Sequence, residues 1–152
     1  PGQTVISGEV AAVERAMALA KEAGMKRAMR LQVSGAFHSP LMQPALPGLQ
    51  AALAEAGLRD PAFPVWANVT AGPVTDAATA RTLLARQLTA PVRWTAQITA
   101  MAKAYPDALF AELGPGTVLT GLLRKIAPEA RHATCGTAAE LDALLAQLAQ
   151  PA

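Results

Sequence analysis

The chain has 152 residues, of which 52% are hydrophobic, with a formal net charge of +2, 4% aromatic content and one cysteine. That is ample apolar material for a globular core, and too little basic charge and stacking surface for a nucleic-acid partner. A single cysteine excludes an internal disulfide framework, and with only two histidines beside it no metal site is expected; no apolar run approaches a bilayer span and no basic-then-apolar leader opens the sequence, so a cytoplasmic protein with no membrane association is expected.

Thr4-Val5-Ile6-Ser7 is a β-branched run closed by Gly8 and predicts a strand. From Glu9 to Ala23 the apolar positions Val10, Val13, Met17 and Ala20 recur at threes and fours, with Gly24 as the stop, which predicts a helix. Met29, Leu31 and Val33 then alternate with Arg30, Gln32 and Ser34, the period of a half-buried strand. Residues 1–34 thus predict a β-α-β unit, with a boundary at Ser34-Gly35. Lys21, Lys26, Arg27 and Arg30 form a local basic cluster whose plain reading is a solvated face.

Leu41 to Ala56 has helical spacing, with Pro44 and Pro47 marking its first turn and Gly57 its end. Phe63 to Val69 predicts a buried strand running into a turn at Ala71-Gly72-Pro73, followed by a helix over Ala77 to Leu88 with Asp76 as N-cap. Helices over Thr95 to Tyr105 and Thr117 to Ile126 bracket a strand over Ala108 to Leu113 and its Gly114-Pro115-Gly116 turn. A strand over His132 to Cys135 and a helix over Ala138 to Leu148 close the chain. Alternation of this kind predicts an α/β fold with a mostly parallel sheet.

His38 stands just beyond a strand-like stretch and before a helix, a position that suits chemistry in an open α/β sheet. A histidine acting as general base needs a nucleophile, and the only serines are Ser7, Ser34 and Ser39, none in a Gly-x-Ser-x-Gly elbow. The chain therefore reads as one part of an active site. It opens at Pro1-Gly2 without an initiator methionine, which fits a segment of a longer protein.

The run Gly35-Ala36-Phe37-His38-Ser39-Pro40-Leu41-Met42, preceded by Pro1-Gly2-Gln3-Thr4-Val5-Ile6-Ser7-Gly8, resembles the malonyl-CoA:acyl carrier protein transacylase family and the related acyltransferase domains of polyketide and fatty acid synthases. Further similarities follow in order: Asn68-Val69, then Arg86-Gln87-Leu88 with Pro91-Val92-Arg93-Trp94, then Glu112-Leu113-Gly114-Pro115-Gly116-Thr117-Val118-Leu119. The resemblance implies the C-terminal portion of such a protein. Residues 1–34 would be the second β-α-β half of an inserted ferredoxin-like small subdomain, and residues 35–152 the closing part of an α/β-hydrolase-like large domain. The serine nucleophile and the arginine that holds the substrate carboxylate would lie in a missing N-terminal half.

The resemblance further implies transfer of a malonyl group from malonyl-CoA to the phosphopantetheine thiol of acyl carrier protein through a serine ester, with the coenzyme A thioester as substrate and no separate cofactor. His38 would be the general acid-base group and the main-chain carbonyl of Gln87 its orienting partner, in place of an acid; none of the four aspartates lies in a family motif. Phe37 would favour malonyl over branched substrates, or simply pack in the core. Lys26 and Arg27 would line the approach used by coenzyme A phosphates or the acidic carrier. The Gly114-Pro115-Gly116 turn is compatible with amides facing an anion, whereas His132 and Cys135 match no catalytic motif. The alternatives are a polyketide synthase acyltransferase segment and a non-catalytic carrier-binding remnant. Expressed alone, residues 1–152 are expected to be inactive and to pack loosely or aggregate.

Overall fold

The computed structural model describes residues 2–149, which fall into two compact units, Gly2–Arg93 and 94–149. Their element content is mixed helix and sheet, as an α/β chain requires.

In the first unit, α1 (Val10–Glu22) ends as its glycine predicts. Gly24 takes φ +84°, donates to Lys21 O at 3.0 Å, and Met25 donates to Ala20 O at 3.0 Å, so two orphan carbonyls are closed by a left-handed terminal residue. The two strands predicted on either side of α1 are not formed. Neither Thr4–Ser7 nor Met29–Ser34 joins a ladder among the described residues. Alternating apolar residues mark a face to be covered, but a strand exists only with a neighbour to pair with. Without one, Ile6 and Leu31 stay 54% and 50% exposed.

Prolines shape the next segment. Pro40–Ala45 is a 3-10 helix and α2 (Leu46–Glu55) follows without a break, so the single helix expected from Leu41 is split where Pro44 and Pro47 lack amide donors. The strand expected over Phe63–Val69 shortens to β1 (Val65–Ala67), which pairs antiparallel with β2 (Gly72–Val74), register Val65↔Val74 and Ala67↔Gly72. Gly72-Pro73 was expected to be the turn and is instead strand; the reversal lies at Asn68–Ala71, where Ala71 takes φ +52° and donates to Asn68 O. An antiparallel edge tolerates a proline whose ladder donor is missing.

Asp76 caps α3 (Ala77–Gln87) as expected, its carboxylate accepting from Thr79 N at 2.7 Å, and Asp60 accepts from Ala77 N at 2.8 Å. Val74 and Leu83 are the buried apolar side chains of this unit, each worth about 1.5–3 kcal/mol.

The second unit begins with α4 (Trp94–Ala104) and carries a β-α-β crossover: β3 (Leu109–Leu113), α5 (Val118–Ile126) and β4 (Arg131–Cys135), before α6 (Ala138–Leu148). The two strands are parallel, Leu109↔Arg131 through Leu113↔Cys135, as strand-helix-strand alternation predicts. Ile98, Leu123 and Leu144 are buried. Gly136 follows β4 so closely against the β3 turn that a Cβ there would lie 2.8 Å from Gly114 O, and Gly114 and Gly116 take φ +117° and +107°. No helix among the described residues is long and apolar enough to cross a membrane.

Candidate active site

His38 owes its placement to two consecutive carbonyls at the end of α3. A helix leaves its last carbonyls without intrahelical donors, and there the aligned peptide dipoles present partial negative charge. The His38 amide donates to Leu88 O at 3.2 Å, and the ring Nδ1 lies 3.1 Å from Gln87 O. One residue, 49 positions away in sequence, thus closes two open acceptors.

The hydrogen-bond inventory fixes the tautomer. A carbonyl only accepts, so Nδ1 must carry the hydrogen. Gln87 Nε2 also approaches Nδ1, at 3.3 Å, but its two hydrogens face Ala90 O at 2.9 Å and Pro91 O at 3.5 Å. Donation from the amide would require an unprotonated Nδ1 and leave Gln87 O without its donor. The assignment is therefore Nδ1–H to Gln87 O, which leaves the Nε2 lone pair of an exposed side chain able to accept a proton.

The backbone beneath the ring is in a costly conformation. His38 has φ +61°, and the left-handed region disfavours a non-glycine residue by about 1–2 kcal/mol. The neighbouring Ser39 is 4% exposed, its Oγ donating to Ala36 O at 2.6 Å and accepting from Leu41 N at 3.3 Å. Ser39 is thereby the N-cap of the 3-10 helix, with Pro40 at its first position. A hydroxyl so buried and so committed is not an available nucleophile. The Ser-Pro pair before a helical run was the sequence signal for this cap.

Among the other expected site residues, Phe37 is 49% exposed and its ring lies over Gly35, where a Cβ would meet Cε2 at 3.2 Å. Lys26 and Arg27 are exposed; Arg27 Nε contacts Met29 Sδ at 3.0 Å. No polar contact joins Lys26 or Arg27 to His38 in the described residues. A groove of about 430 Å³, lined in part by Leu46, Leu53, Arg81 and Ala85, lies between α2 and α3 and does not include His38.

At the Gly114-Pro115-Gly116 turn the start of α5 is met by a carboxylate of the chain itself. The Glu112 carboxylate accepts from Leu119 N at 3.0 Å and Thr120 N at 2.7 Å, taking the position at the start of α5 that an anion would use, and Gly114 N donates to Cys135 O. The Thr120 amide holds the Glu112 carboxyl below the usual carboxylate range. This internal cap went unread because the accepting carboxylate and the helix start are separated by a turn. His132 is engaged within the same unit, accepting from Arg124 Nε at 2.8 Å.

Residues 1–142 match the acyl transferase domain family. The sequence is 43% identical over 144 residues to the malonyl CoA-acyl carrier protein transacylase of Haemophilus influenzae, covering 95% of this chain and 46% of that protein. An acyl-carrier-protein-S-malonyltransferase from Bartonella henselae matches with a TM-score of 0.86 at 40% identity, over 94% of this chain and 45% of the other. A malonyl-transacylase solved in complex with a type II PKS acyl-carrier protein matches with a TM-score of 0.85 at 38% identity, over 92% of this chain and 45% of the other. The chain spans about half the length of the curated relatives it matches. With the family matched over nearly its whole length and these structural likenesses beside it, the chain belongs to the acyl transferase domain family.

Proposed function

We propose that this chain supplies the histidine half of a transacylase that moves a malonyl group from malonyl-CoA to the phosphopantetheine thiol of acyl carrier protein in fatty acid synthesis. The single observation that carries the reading is the His38 ring held by Gln87 O with Nε2 exposed. A serine contributed by the missing N-terminal half attacks the thioester carbonyl while Nε2 takes its proton; the carbon–sulfur bond breaks and the proton passes to the departing coenzyme A thiolate. In the second step Nε2 takes the proton of the carrier thiol, whose sulfur attacks the serine ester, and the proton returns to the serine oxygen. The Gln87 carbonyl keeps the ring in one tautomer throughout, the part an acid plays in other dyads and triads. The coenzyme A thioester is substrate, and no separate cofactor takes part.

Phe37 narrows the space beside the α-carbon and favours malonyl, while Lys26 and Arg27 steer coenzyme A phosphates or the acidic carrier. In the whole protein, residues 1–34 supply α1 and two extended segments to the second half of a ferredoxin-like subdomain, where the missing half would pair with them, and residues 35–152 close an α/β-hydrolase-like domain, in a cytoplasmic enzyme. The uncovered apolar residues Val5, Ile6, Met29, Leu31 and Val33 support a missing half that pairs with them, and the isolated segment is inactive and loosely packed.

The test is malonyl transfer by the full-length polypeptide carrying this sequence, with and without His38→Ala. Loss of about 10²–10⁴ in rate is expected; an undiminished rate refutes the assignment of the base. The likeness to a transacylase bound to a type II PKS carrier favours a second reading in which the acceptor serves polyketide assembly. Offering carriers of both kinds to the same enzyme distinguishes the two.

A further inference from the structure

We propose that Ser39 is a positioning residue for His38. Its hydroxyl closes the turn from Ala36 to Leu41 and holds His38 in the left-handed backbone that delivers both its amide and its ring to α3.

Ser39 is the most buried residue of this segment, at 4% exposure. Its Oγ spends its one hydrogen on Ala36 O at 2.6 Å, on the N-terminal side of His38, and offers a lone pair to Leu41 N at 3.3 Å, on the C-terminal side. Its own carbonyl accepts from Met42 N at 3.1 Å. The hydroxyl therefore ties together the two strands of chain that emerge from His38. Without such a tie nothing local favours φ +61° at a residue with a Cβ. Relaxation of that angle rotates the peptide planes on both sides of His38, and the amide bond to Leu88 O and the Nδ1 bond to Gln87 O cannot both survive the rotation. Ring orientation and tautomer thus depend on a hydroxyl whose own hydrogen bonds are to Ala36 O and Leu41 N and not to the imidazole. Proline at position 40 adds to the same end, because it supplies no amide that could compete for the Oγ and fixes the first φ of the 3-10 helix.

The proposal rests on the reading of His38 as the base only for its effect on rate. Its structural part is tested separately, by NMR of the imidazole nitrogens in the full-length polypeptide. In the wild type the His38 signal is expected to be that of the Nδ1–H tautomer. In Ser39→Ala it becomes that of a tautomer mixture, and kcat for malonyl transfer falls about tenfold while KM for malonyl-CoA stays within about twofold. Ser39→Thr, which keeps the hydroxyl, restores both. A folded Ser39→Ala protein with the wild-type imidazole signal overturns the proposal. Should Ser39→Ala not fold, Ser39→Cys replaces the strong donor by a weak one at nearly the same volume, and a wild-type imidazole signal there overturns it equally. If His38→Ala leaves transfer unchanged, the functional reading has failed while the NMR comparison still decides the hold of Ser39 on the ring.

Discussion

The two turns that lead into helices, one at His38 and one at Gly114-Pro115-Gly116, handle their polar groups in opposite ways. At His38 the neighbours are fully engaged: Ser39 binds Ala36 and Leu41, and Gln87 binds Ala90, so that one ring nitrogen is left over and exposed. At the glycine turn the polar group best placed to meet a ligand, the start of α5, is filled by Glu112 of the same unit. The His38 turn tolerates an unfavourable backbone in a residue with a side chain; the other places glycine wherever φ is positive. Strain retained together with an unspent proton acceptor is what the proposed chemistry needs, whereas a helix start met by the chain's own carboxylate contributes to stability.

That contrast breaks most visibly at His38 itself. His38→Gly is expected to abolish malonyl transfer by about 10²–10⁴ while moving Tm little, because glycine accepts the left-handed φ and keeps the amide bond to Leu88. A large loss of Tm would assign the turn to stability instead.

Gly136→Ala should do the reverse. The added Cβ would meet Gly114 O at 2.8 Å and Pro115 Cα at 3.2 Å, both backbone atoms, so the β3 turn must shift. A cost of about 1–3 kcal/mol in urea unfolding is expected, with the rate per folded molecule retained. Glu112→Gln gives a smaller effect, a fall in Tm of about 5 °C from the weakened α5 cap.

Acid sharpens the comparison further. Asp76 is held below its ordinary 3.8 chiefly by the Thr79 amide, Glu112 below 4.5 by the Thr120 amide, and Glu140 below 4.5 by the Gly136 amide. Each is depressed in the folded state, so the unfolded chain binds more protons as pH falls. The stabilisation is complete above the ordinary carboxylate values and is lost as pH drops through the lowered ones. Two of the three caps lie in 94–149, so that unit is expected to lose its helix protection first below pH 4.5 in hydrogen exchange, and Glu112→Gln should flatten the response.

Helices and caps were the legible part of the sequence. Gly24 and Asp76 act within one turn of the backbone they control, whereas the capping box of Thr137 and Glu140 at α6 went unread although its spacing is equally local. The β3-α5-β4 crossover was legible for the same reason, since strand, helix and strand are consecutive. What failed depended on partners remote in sequence. The alternation at Met29–Val33 names an apolar face but not the strand that would cover it, and Gly72-Pro73 reads as a turn until Val65–Ala67 is seen beside it. His38 was singled out by its position, but its pairing with Gln87 came from family resemblance, because no local pattern links positions 49 apart. Ser39 was weighed only as a nucleophile; its actual engagement depends on a backbone conformation that composition does not reveal.

The bond from the His38 amide to Leu88 O makes the end of α3 and the orientation of the imidazole a single kinetic unit. Each time the last turn of that helix frays, the ring loses its guide, and each time His38 departs, two carbonyls lose their donors. The exchange rate of one amide hydrogen, that of His38, therefore counts how often the hold of α3 on the imidazole comes apart in the resting protein, a clock that can be read with no substrate present.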